Sequence, residues 1–159
     1  LDRETSGVMI FAKNKRHKEY LQEQFANRSV HRTYHALIEG RPEKNNGIIH
    51  EWLLEDKFLR VKAVNKNHPN AKEAITYWSV EDSDEFASLL SLTIETGRRH
   101  QIRVGLANLG HPVVGDKQHG AEGNPIGRIA LHASSLDLLH PETDDPVRFE
   151  ATIPFGPEN

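Results

Sequence analysis

The sequence predicts an α+β fold, a mixed, mainly antiparallel sheet flanked by helices, and three observations predict it. Between residues 29 and 94 short alternating or apolar runs follow one another with only turns and loops between them. Two stretches, near 14–27 and 99–109, place apolar residues at helical spacing. The 159 residues, 36% of them hydrophobic, can bury one sizeable core, and a chain of this length has a prior of about one domain.

The chain opens on Leu1-Asp2-Arg3-Glu4-Thr5-Ser6-Gly7, a polar turn that leads into the apolar run 8–11. A carboxylate on an irregular segment held by a rigid element is where reactive groups are often placed. Asp and Asn also commonly hydrogen-bond a turn and do nothing more, so Asp2 has two readings on local grounds. Val8 to Ala12 reads as a short buried strand. Asn14 then offers an N-cap for a helix to about Asn27, with Tyr20, Leu21 and Phe25 as its apolar stripe. Its first turns carry Lys15, Arg16 and Lys18, against the helix dipole; they form a phosphate-facing surface or a solvated face.

Ser29 to Ile38 alternates, with Tyr34, Ala36 and Ile38 on one face and His35 and Leu37 on the other. Strands follow at 48–54, 58–64 and 73–80, the last placing Ala74, Thr76, Trp78 and Val80 against Ile75 and Tyr77 so that both faces are covered. Trp52 and Trp78 read as core. After the acidic turn 82–85, another strand runs 86–94 into Glu95-Thr96-Gly97-Arg98-Arg99-His100-Gln101-Ile102-Arg103-Val104. Ile102, Leu106 and Leu109 with the following Gly110 mark a helix from about Arg99. Cations in its first turns oppose the macrodipole at some ~0.3 to 1 kcal/mol each, while the free N–H groups there suit an anion. Arg99 and Arg103, four apart on one face, can each reach an acidic partner. A last strand is expected near 147–153.

Composition narrows the chemistry. The absence of cysteine excludes disulfides, thiolate-bound zinc and thiol catalysis, and fits a reducing compartment. No run approaches the roughly 18 apolar residues of a membrane span, and no signal-peptide pattern opens the chain. A net charge of −3 is awkward for a nucleic-acid ligand, so any basic face has to be local, as at 98–103. Ten histidines invite a metal, and His31 and His35 share a spacing. They lack a His-Glu-x-x-His pattern and acidic partners, so no metal is expected. No Gly-x-Ser-x-Gly elbow, dinucleotide fingerprint or P-loop is present either.

Three separated motifs, in order, resemble those of the RluA-type pseudouridine synthases. Leu1-Asp2-Arg3-Glu4-Thr5-Ser6-Gly7 is similar to the family's His-Arg-Leu-Asp-x-x-Thr-Ser-Gly signature, and Arg32-Thr33-Tyr34-His35-Ala36-Leu37-Ile38-Glu39-Gly40 to its Lys/Arg-x-Tyr-x-Ala-x-Val-x-Gly motif. Thr96 to Val104 resembles its Thr-Gly-Arg-x-His-Gln-Ile/Leu-Arg-Val motif. Stretches 109–116 and 131–141 continue the likeness. Two departures stand out: Gly105 where the pattern has His, and His119 where it has Tyr before glycine.

The resemblance implies that residues 1–159 form a pseudouridine synthase catalytic domain of that fold, lacking its N-terminal portion. It implies that Asp2 is the nucleophile, that Tyr34 stacks on the target base and takes a proton late in the reaction, and that Arg103 pairs with Asp2 and keeps it ionised and aimed. Arg3, Arg98, Arg99 and His100 are then RNA contacts, with Arg98 and His100 alternatively ordering the loop. The expected activity is isomerisation of uridine to pseudouridine in rRNA or tRNA by a cytoplasmic monomer. No metal or organic cofactor is expected, because a carboxylate is already a nucleophile at neutral pH. The competing readings are an inactive RNA-binding module of the same fold and an unrelated hydrolase that uses Asp2.

Overall fold

The computed structural model describes residues 1–157. Its centre is one eight-stranded sheet in the order β1-β7-β2-β6-β5-β3-β4, with β8 also pairing β7. The strands are β1 (Ser6–Gly7), β2 (His31–Glu39), β3 (Asn46–Glu55), β4 (Val61–Val64), β5 (Lys72–Ser83), β6 (Ala87–Ile94), β7 (Leu131–Leu139) and β8 (Pro146–Glu150). Among the described residues only β1 on β7 is parallel, which makes the sheet mixed. Two α-helices, α1 (Lys15–Ala26) and α2 (Gln101–Asn108), complete the α+β architecture.

The register puts Tyr34 opposite Leu92 and Leu92 opposite Trp78, so these share a face with Ala36, Ile38 and Thr76. α2 packs Ile102 and Leu106 against that face, in a core with Leu90, Leu92, Trp78 and Ile38. α1 lies over the same face near β7, where Leu21 and Phe25 meet Leu136 and Leu138. Both helices therefore cover one side. On β5 the residues of the other side are left half-buried or open, Tyr77 being 36% exposed. The expectation that both faces of this strand are covered is corrected: among the described residues no helix lies over the second one. Trp78 is core as expected, whereas Trp52 is half-buried and stacks on His50.

Local chemistry explains the other differences. Asn14 caps α1 as expected, accepting the His17 N–H at 2.9 Å, and the exposed Lys15 pairs with Glu19, so the basic first turn is a solvated face. Val8 to Ala12 is not a strand. Val8 makes one ladder-like bond to the Ala133 carbonyl, Val8 and Ile10 pack beside Leu21, and Met9 and Phe11 face solvent. Phe58 to Arg60 belong to the β3–β4 turn, since Asp56 accepts the N–H groups of Phe58 and Arg60 on its carboxylate and Leu59 takes φ 62°. Among the described residues no helix is long and apolar enough to cross a membrane.

Candidate active site

Asp2 sits just before β1, and the motif around it is explained by how β1 is held. The Asp2 carbonyl accepts the Thr5 N–H at 3.0 Å, closing the turn. His132 Nε2 lies 3.1 Å from the Ala151 carbonyl, which fixes the tautomer, so Nδ1 accepts the Ser6 hydroxyl at 2.8 Å. Arg128 donates to the same hydroxyl at 3.1 Å. Gly7 takes φ +115°, and a Cβ there would lie 2.1 Å from the Ala133 carbonyl oxygen, so only glycine lets β1 approach β7. Thr-Ser-Gly is thus a clamp that fixes the Asp2 turn to the sheet.

The third motif forms a loop followed by α2. Thr96 accepts the Ile75 N–H and donates to Gln101 Oε1 at 2.7 Å, and Gln101 donates to Ile75 O and Thr76 Oγ1. His100 turns left-handed, φ 54° and ψ 18°, and the helix begins only at Gln101. The expectation that Arg98, Arg99 and His100 occupy the first turns of a helix is corrected. A residue in this conformation cannot continue an α-helix, so Arg99 and Arg103 do not share a helical face.

Arg103, 5% exposed, projects from α2 to three acceptors. Nε and Nη2 each reach the Asp116 carboxylate at 2.8 Å, Nη1 reaches Asp2 Oδ2 at 3.2 Å, and Nη2 also reaches Gln118 at 3.3 Å. Burial alone would lower the guanidinium pKa, but hydrogen bonds and charge from Asp116, and then from Asp2, outweigh it and raise the pKa above its ordinary value. The pairing of residues 2 and 103 is therefore present in the fold. Asp116, 1% exposed, is the stronger partner, and the sequence reading missed it.

Asp2, Arg103 and Tyr34 line one cavity of about 240 Å³. A register shift between Thr33 and Tyr34, where β2 pairs β7, locally re-aims the strand ahead of the tyrosine. Burial raises the Tyr34 pKa, the Arg32 charge opposes this and Asp2 adds to it, so the phenol is held in its neutral form. Arg98, Arg99 and His100 line the same cavity. Arg98 is anchored by an Nε bond to the Glu73 carbonyl at 2.9 Å, Arg99 is exposed, and His100 is buried with Nε2 3.9 Å from Asp2. Arg3 is exposed and lies on an adjoining opening of about 690 Å³ that also touches Asp2. Arg3, Arg98 and Arg99 thus place positive charge around the openings that touch Asp2.

The two departures from the motif pattern also have structural content. His119 Nε2 meets His100 Nδ1 at 3.2 Å. Burial lowers the pKa of both rings; Arg103 lowers each further, and Asp2 opposes this at both. At Gly105 an added Cβ would lie 3.2 Å from Ile49 and 3.3 Å from Glu51, so a side chain there needs both neighbours to give by a few tenths of an ångström. Among the described residues no cluster of three His, Asp or Glu could hold a metal ion. His35 instead bonds Ser134 at 2.6 Å and Glu81 at 3.1 Å.

Comparison with known proteins gives a consistent picture. Residues 1–108 match the family model described as RNA pseudouridylate synthase. The chain is 37% identical over 161 aligned positions to an uncharacterised RNA pseudouridine synthase of Bacillus subtilis, covering 100% of this chain and 53% of the relative. It is 39% identical to one of Zymomonas mobilis, covering 97% and 71%, and 33% identical to the ribosomal large subunit pseudouridine synthase C of Yersinia pestis, covering 96% and 50%. The chain thus spans about half the length of most of the relatives it matches. The solved structure of human RNA pseudouridylate synthase domain containing 1 superimposes with a TM-score of 0.84 at 28% identity, covering 98% of this chain and 67% of that one. With its fold, its motifs and two thirds of its length in agreement, this chain belongs to the RNA pseudouridylate synthase family.

Proposed function

We propose that this protein isomerises uridine to pseudouridine in structured RNA, rRNA or tRNA, with Asp2 as the nucleophile. What supports the reading is the convergence of Asp2, Arg103 and Tyr34 on one cavity, with the guanidinium 3.2 Å from the carboxylate. At about 240 Å³ this cavity is below the roughly 300 Å³ lower bound of ordinary ligand pockets and suits a single base.

The target uridine leaves its stack, at a cost of a few kcal/mol, and its base enters beside Tyr34. Asp2 forms a bond to the nucleotide, the bond between N1 and C1′ breaks, the uracil turns, C5 joins C1′, and the bond to Asp2 breaks to return the free carboxylate. A proton leaves C5 and one is gained at N1, so the product is an isomer of the substrate. Arg103, fixed from behind by Asp116, aims the carboxylate, and positioning of this kind supplies much of the rate. Tyr34 serves first as a stacking surface. Its raised pKa makes the phenolate rarer at neutral pH but a stronger base when formed.

The test uses the full chain, with any segment that precedes Leu1, incubated with unmodified rRNA and tRNA transcripts, followed by mapping of pseudouridine. Product at defined uridines is expected. Salt-dependent RNA binding without product would replace this reading with the inactive binding module.

A second expectation concerns the clamp. Gly7→Ala forces a Cβ into the Ala133 backbone and strains a left-handed φ. Because β1 is only two residues long, the segment can detach without unfolding the sheet. Turnover should fall by about 100-fold or more, as misplacement of a reacting group by ~1 Å does, while the melting temperature drops by only a few degrees.

A further inference from the structure

Arg32 is anomalous among the cations of the cavity. It is half-buried, yet among the described residues its guanidinium makes no hydrogen bond and no ion pair, and its Nε is shut off from solvent without an acceptor. Arg103 beside it is fully compensated by two carboxylates. Burial pulls the Arg32 pKa down, and what opposes this is the charge Tyr34 carries only as a phenolate. A cation removed from water without an anion is a cost to the fold.

The guanidinium is nevertheless held firmly. Its Cζ lies 5.4 Å from the centroid of the Phe25 ring on α1. On the other side Gly97 leaves room for it, since a Cβ there would lie 2.8 Å from Nη1. Gly97 carries no positive φ, and a side chain there would displace the Arg32 guanidinium from this position. Arg32 lines the wall of the Asp2 cavity and that of a neighbouring apolar cavity formed with Val8, Ile10, Phe25 and Leu136. A rigid, uncompensated fork in such a place is an anion site built in advance of its ligand.

We propose that Arg32 grips a backbone phosphate flanking the target uridine, its guanidinium aimed by Phe25 and by the bare backbone of Gly97. This rests on the function proposed above. With the base at Tyr34 and C1′ at Asp2, the nearest anions of the substrate are the two phosphates of that same nucleotide. Arg32 is then a positioning residue: it fixes the sugar while the glycosidic bond is exchanged.

The test compares the parent full chain with Arg32→Gln and Arg32→Lys. The slope of log affinity for the RNA substrate against log salt should fall by roughly 0.7 to 0.9 in Arg32→Gln, one phosphate contact, and stay near the parent value in Arg32→Lys. kcat/KM should fall roughly 10- to 100-fold in Arg32→Gln and recover in part in Arg32→Lys, which keeps the charge and loses the fork. The melting temperature of Arg32→Gln should be unchanged or higher, whereas a structural role would lower it.

A single methylphosphonate placed 5′ or 3′ of the target uridine then locates the contact. At one of these positions it should slow the parent enzyme by the same factor and cost Arg32→Gln nothing further. An unchanged salt slope overturns the proposal, and so do penalties that multiply at both positions. Loss of the function reading looks different: no pseudouridine forms in any RNA with the parent chain, whatever the salt slopes of the variants.

Discussion

Asp2→Asn is expected to lower pseudouridine formation by at least about 10³-fold and to leave the protein folded. The amide keeps the shape of the side chain and loses the nucleophile, and removing a nucleophile from an otherwise intact site costs factors of this order or more. The geometry predicts that stability barely changes. Arg103 keeps both Asp116 bonds and its contact to Gln118, so no buried charge is stranded. Asp2 is itself 23% exposed at its side chain. The stability change should stay within about 1 kcal/mol, or about 2 to 4 °C in melting temperature. Single-turnover assays on a mapped substrate, with a thermal melt of the same sample, check both halves. Turnover within about tenfold of the parent would remove Asp2 from the nucleophile's role.

Asp116→Asn is expected to do the reverse, harming the fold first and the chemistry through it. Asp116 is almost wholly buried and supplies the two shortest bonds to a guanidinium that is itself 5% exposed. Removing one partner of a buried pair costs about 3 to 5 kcal/mol, and the remaining Asp2 and Gln118 contacts place this case near ~3. For a chain of this size the melting temperature should drop by about 6 to 12 °C. A double substitution, Asp116→Leu with Arg103→Met, removes both charges and should recover much of that loss. It should not recover activity, because nothing then aims Asp2. A double variant no more stable than Asp116→Asn would show that the pair is not what the first substitution breaks.

Where a segment's structure is set by its own residues, the sequence could be read. Alternation identified β2 and β5, a strand was read at β6, and Asn14 was recognised as the cap of α1. β7 went unread because Leu-His-Ala-Ser-Ser-Leu has neither β-branched residues nor simple alternation. Its polar side chains are buried on distant partners, His132 on Ala151 and Ser134 on Thr33. The run 8–11 misled in the opposite sense: it is apolar, yet only Val8 and Ile10 pack inward and it pairs with β7 through a single bond. In the site, Asp2, Tyr34 and Arg103 were found by motif likeness, and the fold brings them together. Asp116 and Arg32 were not found. The importance of the first lies in a contact to a residue 13 positions back, and that of the second in the absence of any contact. Both stand inside stretches that carry the likeness, yet nothing local gives either a role.

The parallel docking of β1 has a consequence for biosynthesis. Ser6 and its anchor His132 are 126 positions apart, so the segment around Asp2 can settle only after β7 has been made and has joined β2. Closing so long a loop is slow compared with forming the hairpins between them. On the ribosome, the segment bearing Asp2 therefore emerges long before the strand that secures it. A polypeptide interrupted between α2 and β7 would expose the basic loop 98–103 with the Asp2 turn still unanchored.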